Sequence, residues 1–141
     1  DLARDADFFS IGTNDLTQYT LAMDRGHSKL ARVVDGLEPS VLRLIAATVA
    51  GARMHDRWVG ICGGIATDPF AVPVLVGLGV DELSVSLPSI PTVKAQVRTL
   101  DYAACRALAE RVLALDTAAA VRAAVAAEHP DLAGDAPAGK E

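Results

Sequence analysis

Residues 58–79, WVGICGGIATDPFAVPVLVGLG, carry the decisive pattern: a short β-prone run, a turn holding a cysteine and two glycines, then a helix announced by Asp68 and Pro69. Trp58 to Ile61 reads as a strand closing on Cys62. Asp68 suits a helix cap and Pro69 its first position, so the helix should run to Gly77 or Gly79. Strand, turn and helix in that order form one βα unit, and the units on either side repeat it.

Upstream, Asp7 to Ile11 is β-rich and stops at Gly12, and Thr13 to Asp24 reads as a loop with a short helical turn. Pro39 and Ser40 open a helix reaching towards His55, whose apolar residues Val41, Leu44, Ile45, Thr48 and Val49 recur at three- and four-residue intervals. Downstream, Glu82 to Leu87 alternates as a third strand and leads through Pro88 and Ser89 into a helix from Ile90 to about Leu100. Tyr102 to Glu128 is Ala-rich and predicts one or two helices broken near Asp116 and Thr117. Residues 1–128 are thus read as one domain piece and 129–141 as a flexible tail.

Three parallel βα units alone leave sheet edges open. The expected fold is α/β, the last three βα units of a (β/α)8 (TIM) barrel plus carboxyl-terminal helices. The chain opens on Asp1 and runs at once into an apolar strand, so sequence is expected to precede it.

The formal net charge is −5, and Lys and Arg are scattered, which excludes the electrostatic footprint of a nucleic-acid binder. Cys62 and Cys105 have no paired spacing, which points to a reducing, cytoplasmic compartment. The longest apolar run, Phe70 to Val80, ends at Asp81, too short for membrane insertion. The histidines His27, His55 and His129 have no ligand spacing and take structural or surface readings. Trp58, Phe8 and Phe9 are expected in the core.

In a (β/α) barrel the site forms at the carboxyl ends of the strands. After the first strand come Gly12, Thr13, Asn14 and Asp15, an oxygen-rich cluster of the kind Mg²⁺ accepts, with Asp15 as the ligand candidate. Helix capping by Asn14 or Asp15 is the commoner role for those residue types. Arg25 could fork onto a phosphate or carboxylate, or simply pair with Asp24 on the surface. Cys62, on a strand-end turn with two glycines behind it, could serve as nucleophile, acid or metal ligand, or as an inert buried thiol. Cys105 is the better candidate for that last role.

The stretch Asp7 to Gly26, DFFSIGTNDLTQYTLAMDRG, resembles the signature of the phosphoenolpyruvate-utilising enzymes, most closely Enzyme I of the bacterial phosphoenolpyruvate:sugar phosphotransferase system. WVGICGGIATD, residues 58–68, resembles that family's cysteine-bearing turn, and LGVDELSVSLPSIPTVKAQVR, residues 78–98, its final barrel strand and helix. Many relatives carry Glu two residues after the cysteine, where Gly64 stands here. The Gly-Gly form is similar to the branch fused to fructose-system domains, the multiphosphoryl transfer proteins.

The resemblance implies a dimeric (β/α)8 domain that binds phosphoenolpyruvate and uses Mg²⁺ to pass phosphate to a histidine of an amino-terminal domain. A histidine-containing phosphocarrier protein is the next acceptor. Carried onto matching positions, it implies Asp15 as a Mg²⁺ ligand, Asn14 on the substrate phosphate, Arg25 on the anionic substrate and Cys62 as the acid that protonates enolpyruvate. The phosphorylated histidine, further arginines and a second metal-ligating glutamate would lie upstream, so this chain alone is expected not to turn over. Pyruvate phosphate dikinase and phosphoenolpyruvate synthase share the two turns and remain alternatives. A non-catalytic binding or dimerisation module is the alternative of another class.

Overall fold

In a computed structural model, residues 1–24, 26, 27, 29, 30 and 33–134 are described. Three parallel strands, β1 (Phe8–Gly12), β2 (Trp58–Cys62) and β3 (Glu82–Ser84), lie in sequence order, with Gly12 opposite Cys62 and Cys62 opposite Ser84. The described helices are α1 (Thr13–Leu21), α2 (Pro39–Arg53), α3 (Ala71–Leu78), α4 (Ile90–Thr99), α5 (Tyr102–Val112) and α6 (Ala118–Glu128). The small parallel sheet and its helices make the chain mixed α/β. Among the described residues no helix is long and apolar enough to cross a membrane.

Strand alternation sorts the sheet into two faces. Val59 and Ile61 are fully buried, and Ile11 and Leu83 pack into the same apolar mass as Ile45, Val74 and Leu75. On the other face Phe8, Ser10, Gly12, Glu82 and Ser84 are exposed. The helices therefore cover one side only. Phe8 and Trp58 stack on each other, rings 4.5 Å apart, yet stay 49% and 41% exposed, so they belong to the uncovered face rather than to the core.

The covered side is built from apolar helix faces. α2 buries Val41, Leu42, Ile45, Val49 and Ala52, while Leu44 turns outward, a displacement of the expected stripe by a fraction of a turn. α3 and α5 pack at backbone distance because Gly77 lacks a side chain: a Cβ there would lie 2.0 Å from the Cys105 carbonyl oxygen. Cys105 is correspondingly buried, and burial, with Asp101 nearby, pushes its thiol pKa up. Asp101 caps α5 through Ala104 N (2.8 Å) and Thr117 caps α6 through Ala120 N (3.2 Å), which places the helix break where the sequence suggests it.

Two elements differ from expectation. The third strand stops at Ser84 instead of Leu87, because β2 ends opposite it at Cys62 and the next residues have no partner to pair with. Thr13 to Leu21 is a nine-residue helix rather than a loop with one turn. Pro130–Gly134 forms a 3-10 turn whose Leu132 packs against the core.

Candidate functional site

The parallel register brings the ends of β1 and β2 side by side, so the two loops suspected from sequence face each other. Thr13, buried, donates its hydroxyl to the Cys62 carbonyl at 2.7 Å. Asn14 Oδ1 accepts from the Gly64 amide at 3.1 Å. These two bonds join residues 49 and 50 positions apart. A buried hydroxyl without a partner would be costly, so Thr13 has a strong reason to hold this geometry.

Gly12 holds the cap position of α1 and has no side chain to offer the helix. Asn14 and Asp15 therefore lie inside the first turn, and neither occupies the cap position itself. The Asn14 oxygen is committed to Gly64, and that bond also orients the amide, whose Nδ2 group can only donate. Asp15 is exposed on the same turn. An acid at a helix start is stabilised by the helix dipole whether or not it binds a metal.

Cys62 is half-buried and directs Sγ at the Ile11 carbonyl, 3.6 Å away on the neighbouring strand. By alternation with Ile61 it belongs to the uncovered face of the sheet. Gly63 follows with φ +109 and ψ −177, a conformation essentially reserved for glycine. A Cβ at position 63 would lie 2.5 Å from Thr13 Oγ1. Gly64 is different: it is exposed, and a Cβ would meet only Asn14 Oδ1 at 3.7 Å, so the backbone accepts a side chain there. Arg25 lies outside the described residues.

Among the described residues no group of three or more His, Cys, Asp or Glu could hold a metal ion by itself. A single carboxylate such as Asp15 still fits Mg²⁺, which takes one or two carboxylates and fills the rest of its shell with water and phosphate oxygens.

Beside these two segments runs a cleft of about 450 Å³ whose lining includes Thr13, Asn14 and Gly64 together with Asp35, Asp68 and Arg122. Arg122, from α6, binds both carboxylates. Burial pushes Asp35 up, but the hydrogen bonds from Arg122 and the Leu37 amide and the Arg122 charge outweigh it and hold the carboxyl below its ordinary value. The hydrogen bond to Asp35 likewise raises the Arg122 pKa, against its burial and with help from Asp68. Asp68 thus does more than start a helix, although it also accepts from Phe70 N at 2.9 Å, ahead of α3. This trio escaped the sequence reading because its members lie 54 and 87 residues apart with no motif to link them. A larger hollow of about 700 Å³ lies along β3 and α4, lined by Leu83, Val85, Val93 and Val97, and shares no residue with the cleft.

Known proteins are similar to most of this chain. The multiphosphoryl transfer protein of Xanthomonas campestris pv. campestris is 58% identical over 122 residues, 86% of this chain and 15% of that protein. That of Rhodobacter capsulatus is 60% identical over the same shares. The phosphoenolpyruvate-protein phosphotransferase of Haloferax volcanii is 54% identical over 115 residues, 82% of this chain and 20% of that protein. The chain thus spans about a sixth to a fifth of the length of these relatives. Residues 1–102 of the 141 match the family described as PEP-utilising enzyme, PEP-binding domain, and the chain belongs to that family.

Proposed function

We propose that this chain is the carboxyl-terminal part of a phosphoenolpyruvate-binding (β/α)8 barrel, and that its parent is a phosphoenolpyruvate-protein phosphotransferase, in the form fused into a multiphosphoryl transfer protein. The observation that carries this reading is the tying of Thr13 and Asn14, at the start of α1, to the Cys62–Gly64 turn at the carboxyl ends of two adjacent parallel strands. Parallel sheets are normally covered on both faces. Here strands in sequence order carry helices on one face, while the other bears small and polar residues at the carboxyl ends and the stacked Phe8–Trp58 pair at the opposite end, the arrangement of a barrel wall rather than of a doubly wound sheet. Closure of the barrel would cover the edge of β3 and the hollow beside it.

In the reaction, a histidine nitrogen of the same protein forms a bond to phosphorus while the O–P bond of phosphoenolpyruvate breaks, its electrons remaining on the enolate oxygen of pyruvate. Asn14 Nδ2 donates to the phosphate and Arg25 pairs with the anionic substrate. Asp15 would hold Mg²⁺ in part, and the ion, when bound, would supply charge neutralisation for the phosphate and the enolate oxygen. Cys62 then gives its thiol proton to the methylene carbon, yielding pyruvate and a thiolate. The reverse reaction uses that thiolate as base. The phosphohistidine passes its group to a histidine-containing carrier protein, and the parent works as a cytoplasmic homodimer.

The test uses the full-length protein. Cys62→Ala should lower pyruvate formation by about 10²–10⁴, the usual loss for a missing general acid, while phosphoenolpyruvate still binds. Wild-type pyruvate formation by this variant would remove Cys62 from the mechanism.

A further inference from the structure

Arg122 stands on α6, past the residues shared with the family, yet it reaches the rim of the cleft. Its guanidinium grips Asp35 with two bonds, Nε to Oδ2 at 2.7 Å and Nη2 to Oδ1 at 2.9 Å. It holds Asp68 through Nη2 to Oδ2 at 2.7 Å and Nη1 to Oδ1 at 3.4 Å, and lies 5.7 Å from the Phe70 ring centre. Forked pairing of this kind fixes direction as well as distance. Two carboxylates can lie this close only because the cation sits between them.

Asp68 ends the turn that begins at Cys62. Between them runs an unbroken set of short-range bonds: Ala66 N to Gly63 O at 3.1 Å, Thr67 Oγ1 to Gly64 O at 3.1 Å and Asp68 N to Ile65 O at 3.2 Å. The same turn offers the Gly64 amide to Asn14. Ile65 and Ala66 anchor the turn in depth by burial, but apolar contacts are non-directional and leave its lateral placement to polar bonds.

We propose that Arg122 is a positioning residue: by clasping Asp68 to Asp35 it sets the lateral placement of the Cys62–Asp68 turn, and with it the Cys62 thiol and the Asn14–Gly64 contact. The inference rests on the reading of these loops as the phosphoenolpyruvate site. It assigns α6 a part in the site that its distance along the chain conceals.

The experiment compares the full-length protein with Arg122→Ala, Arg122→Lys and Asp35→Asn. Alkylation of Cys62 by iodoacetamide is followed against pH by peptide mass spectrometry, with buried Cys105 reporting any general unfolding. The steady-state constants for phosphoenolpyruvate and the thermal midpoint are measured in parallel. For Arg122→Ala the Cys62 alkylation rate near neutral pH should change by about threefold or more, as the exposure and neighbours of the thiol change with the turn, with Cys105 unaltered. kcat should fall by about tenfold, since small misplacements at a reacting centre are costly. Arg122→Lys, which keeps the charge and loses the fork, should lie between. Unchanged Cys62 alkylation and kcat, even with a lower thermal midpoint, would overturn the proposal, because a purely structural clasp predicts that result. Should Arg122→Ala fail to fold, the same two readings on Arg122→Lys and Asp35→Asn decide it. If wild-type protein does not turn over phosphoenolpyruvate, the proposed function fails, and the alkylation comparison alone decides the role of Arg122.

Discussion

Two neighbouring glycines after Cys62 should respond oppositely to the same small change. In Gly63→Ala the new methyl falls 2.5 Å from Thr13 Oγ1 and 3.0 Å from Asn14 Oδ1, on a backbone at φ +109. A non-glycine residue in that region costs about 1–3 kcal/mol. Thr13 is only 1% exposed and cannot swing into solvent, so the methyl must also disturb its 2.7 Å bond to the Cys62 carbonyl, worth about 1 kcal/mol. The lower unfolded-state entropy of alanine returns about 0.4–1 kcal/mol. The net expectation is a destabilisation of about 2–3 kcal/mol together with a displaced Asn14. Gly64→Ala meets nothing closer than 3.7 Å and should stay within about 0.5 kcal/mol of wild type. Urea denaturation followed by circular dichroism measures both, provided the slopes agree. Equal midpoints for the two variants would refute the assignment of Gly63 as the residue the turn requires, and with it the close Thr13–Gly63 approach.

Gly77→Ala should be more damaging than its helix propensity suggests: the methyl would lie 2.0 Å from a backbone carbonyl of α5, and overpacking of this kind costs about 1–3 kcal/mol or more, against about 1 kcal/mol gained in propensity. A thermal midpoint at or above wild type would contradict the packing of α3 on α5. Asp15→Ala in the full-length protein should raise the Mg²⁺ concentration needed for half-maximal activity, and an unchanged Mg²⁺ titration would leave Asp15 as a dipole-stabilising residue only. Asp35 has a depressed carboxyl pKa, so its contribution to stability is present above the ordinary carboxylate range and lost as pH falls through the folded-state value. Asp35→Asn should flatten the acid limb of the stability profile below about pH 4, and a profile parallel to wild type there would argue against the clasp.

The sequence by itself determined the βα repetition, the positions of β1, β2 and the helices after α1, and the residues at the two strand ends, because these depend on local preferences: β-prone runs, glycines, prolines and caps. It also separated Cys105, on an apolar helix face, from Cys62 on a turn. Only the tertiary structure decided what those residues do to one another. The length of β3 follows from where β2 stops pairing, a property of the neighbour and not of residues 85–87. Asn14 gives its oxygen to Gly64 instead of its own helix, and Gly63 is required by Thr13 at the start of α1, through contacts 49 and 50 residues distant in sequence. The exposure of Phe8 and Trp58 depends on which face the helices leave uncovered. Arg122 reads as one more charge on an Ala-rich helix until the fold sets it between Asp35 and Asp68, since ion pairs across 54 and 87 residues leave no periodic trace.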